Sequence, residues 1–112
     1  MDTLKISKYQ DIVIDILKEE IGDETVNSEY QIIADKERNH YELVCIGWKN
    51  NQYTSSILLH FDIKSDGKIW IQANFTDLEV GKELVSKGVP PSDIVLGFHA
   101  PEYRKYTAFA VA

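Results

Sequence analysis

Apolar side chains near the start of the chain recur at helical spacing. Tyr9, Ile12, Val13, Ile16 and Leu17 stand at i, i+3, i+4, i+7 and i+8, the interval that gathers them on one face of a 3.6-residue repeat. Asp11, Asp15, Lys18 and Glu19 fall on the opposite side. The spacing predicts an amphipathic helix over residues 4–21, with Gly22 as a left-handed cap.

From residue 28 the period changes to two. SEYQIIAD (28–35) leads through a polar turn at 36–39 into HYELVCIGWK (40–49). There Glu42, Val44, Ile46 and Trp48 share one face, with Tyr41, Leu43, Cys45 and Gly47 on the other. Asn50-Asn51 marks a tight turn. Residues 52–64 then place Ile57, Leu59, Phe61 and Ile63 together, against Leu58, His60, Asp62 and Lys64. Asp66-Gly67 is a second hairpin turn, with positive φ expected at both residues. After it Ile69, Ile71, Ala73 and Phe75 alternate with Trp70, Gln72 and Asn74. Short turns between successive strands make neighbours antiparallel, which predicts a four-stranded meander.

Thr76-x-x-Glu79 has the form of a capping box, so a second helix is expected from about Thr76. Leu78, Leu84 and Val85 would face the sheet, and Gly88 with Pro90-Pro91 would stop it. Pro101 suits the first turn of a short helix at 102–106. The expected fold class is therefore α+β: an N-terminal helix, a four-stranded antiparallel meander sheet, a second helix and a short C-terminal helix, in one domain spanning 1–112.

Composition narrows the function. The chain has 112 residues, of which 44% are hydrophobic. A chain of that length buries roughly 60–70% of its extended surface and needs no disulfide or metal staple. The net charge is −6, and Arg38 and Arg104 are the only arginines. Independent binding of duplex DNA, which rests on clustered cations, is thereby disfavoured. The charge is also uneven. Residues 1–37 hold ten acidic against four basic side chains, net −6, whereas 38–112 hold eight of each. A solvated helix face explains this most simply. A docking surface for a basic partner, centred on Asp11, Asp15 and Glu19, is the alternative.

Cys45 has no second cysteine to pair with, no segment approaches the ~20 apolar residues of a membrane span, and the N-terminus lacks the apolar region of a signal peptide. A soluble cytoplasmic protein without membrane association is expected. His60 and Asp62 lie two apart on one strand and could form a base–carboxylate pair or two metal ligands, with His99 as a more distant third. His99 and Glu102 form another possible pair. No nucleophile, third ligand at a recognisable spacing or phosphate loop accompanies them, so a polar outer face and a capping role are the plainer readings. No catalytic residue, metal site or cofactor is assigned. If the Ile69/Ile71/Phe75 face is the inner one, Trp48, Tyr53 and Trp70 lie on the outer face as a candidate protein–protein surface. Apolar strand faces also make a homodimer possible.

One set of runs carries a family resemblance. GKIWIQ (67–72) and ELVSKGVPPSDIVLGFHAPEYRKYTAFAVA (83–112), extended upstream by DKERNHYELVCIGW (35–48) and LLHFDIKSDGKIWIQ (58–72), resemble the XisI-like family, the fdxN element excision controlling factors known chiefly from cyanobacteria. The resemblance covers nearly the whole chain. It departs from the usual pattern at Cys45 and over 51–56 and 73–75, which puts partner specificity in doubt. It implies a non-enzymatic accessory role in programmed DNA rearrangement, exerted on a separate site-specific recombinase or on a companion excision factor of nuclease-like fold. It carries no catalytic residues. Antitoxin-like restraint of that companion is a second reading. A metal-dependent hydrolase using His60, Asp62 and His99 is a third, from a different class.

Overall fold

The computed structural model describes residues 3–24 and 27–112. Helix α1 (Thr3–Glu19) is followed by strands β1 (Ser28–Asp35), β2 (His40–Lys49), β3 (Gln52–Ile63) and β4 (Ile69–Asn74). Helix α2 (Val80–Ser86), strand β5 (Ile94–Leu96) and a 3-10 segment (Pro101–Tyr106) complete the chain. The sheet order is β1-β2-β3-β4-β5. The first four strands form the expected antiparallel meander, and the fold is α+β.

The strand count differs from the expectation. β5 adds a fifth strand, parallel to β4, with Ile69 opposite Ile94 and Ile71 opposite Leu96. A run of three apolar residues is too short to show alternation, and α2 supplies the crossover that a parallel neighbour needs.

α1 lies across the inner face of the sheet. Its stripe Tyr9, Ile12, Val13, Ile16 and Leu17 packs on Tyr41 and Leu43 of β2, Leu59, Phe61 and Ile63 of β3, and Ile69 and Ile71 of β4. Every one of these side chains is buried. The helix ends at Glu19 with a tightened last turn, Ile21 N–H donating to the Lys18 carbonyl, and Gly22 supplies no left-handed cap. α2 starts later than the Thr76-x-x-Glu79 pattern predicted. The Thr76 hydroxyl instead accepts from Leu78 N–H and donates to Asn74 Oδ1, which closes a turn before the helix. At its far end Gly88 takes φ +103, with Val89 N–H bonded to the Leu84 carbonyl and Gly88 N–H to that of Val85. That is a Schellman closure, and the buried Leu84 and Val89 side chains belong to the same core.

Two register shifts alter the expected faces. Leu43 pairs with Leu59 but Val44 with Ile57, leaving Leu58 as an extra residue in β3. His60 pairs with Ala73 but Phe61 with Ile71, leaving Gln72 extra in β4. Each extra residue reverses the alternation beyond it. Ile57 and Phe75, which strict alternation would place on the same faces as Leu59 and Ile71, are consequently 42% and 75% exposed. The turns also differ. Asn50 and Asn51 both take positive φ, as a two-residue hairpin requires, but at Asp66-Gly67 only Gly67 does. Gly67 N–H bonds to the Lys64 carbonyl and Lys64 N–H to that of Lys68, a type I turn closed by a glycine bulge.

A polar clasp joins α1 to the approach to β5. The Tyr9 hydroxyl donates to Asp93 Oδ2 at 2.6 Å, and Lys5 Nζ lies 2.8 Å from the same oxygen. Burial, reinforced by Asp93, raises the Tyr9 hydroxyl above its usual range. Burial alone would raise Asp93, but the hydrogen bonds from Lys5 and Tyr9 and the lysine charge outweigh it and lower its carboxyl. A depressed carboxylate stabilises the fold above its unfolded pKa of about 4, and that contribution disappears as pH falls through the folded value. Tyr9→Phe should therefore cost about 1.5–3 kcal/mol at neutral pH, and Asp93→Asn should flatten the loss of stability below about pH 4. Urea titrations from pH 7 to pH 3 check both; an acid limb identical to the parent's in Asp93→Asn would refute the clasp.

Candidate functional site

With α1 on the inner face, alternation sends His40 and Glu42 of β2, and His60 and Asp62 of β3, to the outer one. Register places His40 opposite Asp62 and Glu42 opposite His60, so four polar side chains form a square on two adjacent strands. Asp62 is at its centre. Its Oδ1 lies 2.7 Å from His40 Nδ1 and 2.9 Å from His60 Nε2, and its Oδ2 accepts from Gln72 Nε2 at 3.1 Å. The other His60 nitrogen, Nδ1, lies 3.5 Å from Glu42 Oε2.

Asp62 is only 8% exposed. Burial alone would raise its pKa, but the hydrogen bonds from His40, His60 and Gln72 prevail and hold it below the usual carboxylate range. The bulge at Gln72 belongs to this site. The extra residue changes the phase of β4 beside Asp62, and its amide is the one that binds Oδ2.

The chain after β5 folds back along the outer face. Arg104, 9% exposed, donates from Nε to the His99 carbonyl at 3.1 Å, and its Nη atoms lie 3.4–3.5 Å from the Gly97 and Val111 carbonyls. Its guanidinium sits 4.9 Å from the centre of the Trp70 ring. Gly97 N–H bonds to the Ile71 carbonyl, and Ala110 N–H to that of Ile94, tying the tail to the sheet edge. Trp70 is thus half-buried beneath Arg104 and is not the open surface residue that alternation suggested.

The remaining candidates divide in two. Trp48 and Tyr53 are opposite each other across the β2–β3 hairpin, ring centroids 5.3 Å apart in an edge-to-face pair, and both are exposed. Asp11 and Asp15 are exposed on α1, and Glu19 is bound by Lys87 Nζ at 2.6 Å. His99 does not join His60 and Asp62; its ring stacks on Phe98, at 4.8 Å. Among the described residues the potential ligand atoms gathered within 4.8 Å belong to His40, His60 and Asp62. His40 went unnoticed in sequence because its partner is 22 residues away. The signal was a His-x-Glu on one predicted strand facing a His-x-Asp on the next.

This architecture defines a class: a small α+β domain in which one helix covers the inner face of a sheet, a folded-back tail covers part of the outer face, and a hairpin projects beyond both. Comparison with known sequences and structures makes the class specific. The chain belongs to the XisI family, whose XisI protein profile matches residues 1–111. It is similar to the crystal structure of a XisI-like protein from Anabaena variabilis, with 42% identity and a TM-score of 0.83 over 96% of this chain and 99% of the other. It is also similar to the fdxN element excision controlling factor XisI of Anabaena variabilis, with 34% identity and a TM-score of 0.79 over the same shares. No curated protein matches. None of the described helices is long and apolar enough to cross a membrane.

Arg104 ties three parts of the tail together over Trp70. Lysine has one ammonium where arginine has a planar fork, so it cannot reach three carbonyls and stack on Trp70 together. Arg104→Lys should destabilise the protein by about 1.5–3 kcal/mol and speed amide exchange through 97–112 relative to β2 and β3. Unchanged exchange in that segment would show that the tail is held by other contacts.

Proposed function

We propose that this chain is an accessory factor controlling excision of a DNA element, and that it acts by binding a companion excision protein or the recombinase, without catalysing a step itself. The similarity to the excision controlling factor of Anabaena variabilis supports the process. One feature of the molecule supports the mode of action: the distal half of the β2–β3 hairpin. Residues 48–57 are all exposed, and β4 pairs with β3 only from Leu59 onwards. The hairpin therefore projects with one unpaired backbone edge, in a molecule of 45 × 31 × 23 Å.

The arm's outer face carries the Trp48–Tyr53 pair and, at its base, Ile57 opposite the buried Val44, with Phe75 beside it. Trp48 is 58% exposed and Tyr53 52%. Exposed aromatics beside an open strand edge are the ingredients of strand addition and of interface anchors. DNA would be met through the partner, since net acidity gives little phosphate affinity of its own. A second reading has a separate observation behind it. Asp11 and Asp15 are exposed one turn apart on α1, between the exposed Lys8 and Lys18 and away from the arm, and would meet the basic surface of a nuclease-like companion.

Co-expression with the companion factor and size-exclusion at micromolar concentration tests the proposal. A stable complex is expected, weakened at least tenfold by Trp48→Ala with Tyr53→Ala and little by Asp11→Asn with Asp15→Asn. The reverse pattern, coupled to suppression of the companion's DNA cleavage, favours antitoxin-like restraint. Separate elution of the two proteins defeats both.

A further inference from the structure

We propose that His40, His60 and Asp62 form a binding site for a divalent transition-metal ion of the zinc type, using His40 Nδ1, His60 Nε2 and Asp62 Oδ1. The inference is independent of the excision reading.

The donor set is two imidazoles and one carboxylate, hard enough for zinc and with no thiolate. The three ligand atoms lie within 4.8 Å of one another, with nitrogen–oxygen separations of 2.7 and 2.9 Å. Zinc bonds of about 2.0–2.2 Å set tetrahedral ligand separations near 3.3 Å, so each imidazole nitrogen need part from Asp62 Oδ1 by only about half an ångström. They come from adjacent, directly paired strands, not from loops, which fixes their spacing. The His40 side chain is 57% exposed, so a fourth position opens to water or to a partner's donor.

The supporting contacts distinguish the cluster from a chance polar patch. Metal-bound histidines usually donate their second N–H to a carboxylate, and ligating carboxylates are themselves hydrogen-bonded. His60 has Glu42 at its second nitrogen, and Asp62 has Gln72 at its second oxygen. A neutral imidazole has one N–H and one lone pair, an imidazolium two N–H groups; both His60 nitrogens face carboxylates, Asp62 at 2.9 Å and Glu42 at 3.5 Å. A cation between His60 Nε2 and Asp62 Oδ1 takes that lone pair and leaves Nδ1–H free to donate to Glu42. Glu42 is then a positioning residue.

Titration of the tag-free, metal-stripped full chain with Zn2+ by calorimetry tests the site. One equivalent should bind, with a rise in melting temperature. His40→Ala and His60→Ala should each weaken binding at least 100-fold, and Glu42→Gln about tenfold. His99→Ala should leave it unchanged. His40 is exposed, so His40→Ala keeps the fold, to be checked by circular dichroism, and remains informative if Asp62→Asn does not fold. A Co2+ absorption band should appear in the parent and vanish in His40→Ala. Absence of saturable Zn2+ binding below about 100 µM, or equal affinity in the parent, His40→Ala and His60→Ala, overturns the proposal.

Discussion

The seating of α1 on one face of the sheet is the constraint on which the rest of the molecule depends. Five helix side chains, Tyr9, Ile12, Val13, Ile16 and Leu17, complete a core with the inner residues of β2, β3 and β4. Burial of apolar surface is the main favourable term in folding, and here it also sets orientation. Once Leu43, Leu59 and Phe61 point inward, the pleat sends Glu42, His60 and Asp62 outward with no further instruction. The polar square is thus a geometric consequence of the core. The clasp of Lys5, Tyr9 and Asp93 then ties the same helix to the start of β5.

The outer face solves a different problem. A sheet with one face bare would expose Trp70 and leave Val95 wet; the tail covers this side, and Val95 is fully buried. Burying Arg104 is costly unless its donors are occupied. Backbone carbonyls of the tail occupy them and the Trp70 ring receives the guanidinium face. Among the described residues no buried side-chain nitrogen or oxygen lacks a partner. The two bulges divide the sheet by role. Beyond Leu58 the β2–β3 ribbon leaves the core and presents aromatics, and at Gln72 the shifted strand brings an amide to Asp62. The exposed Trp48–Tyr53 pair and the polar cluster therefore lie on the same side of the sheet.

Much of this was legible in the residues. The α1 stripe, the four meander strands, the Asn50-Asn51 turn and the Gly88 stop follow from local periodicity and turn chemistry, because each depends on neighbours a few positions apart. The family, too, was legible in the long run at 83–112. Half of the cluster could be read, since His60 and Asp62 share a strand. His40 could not be joined to them without the β2–β3 register, and His99 was wrongly grouped because sequence offers no distance between a strand and a distant tail.

The sequence by itself determined which residues form the helix and strands and which of their faces is apolar, because those are properties of short segments. Only the tertiary structure decided the fifth strand, the phase reversals that expose Ile57 and Phe75, the cover over Trp70 and the company Asp62 keeps. Each of these depends on one segment meeting another far away in the chain. A single extra residue in one strand reverses every side chain beyond it, and only pairing with the neighbouring strand shows that a residue is extra.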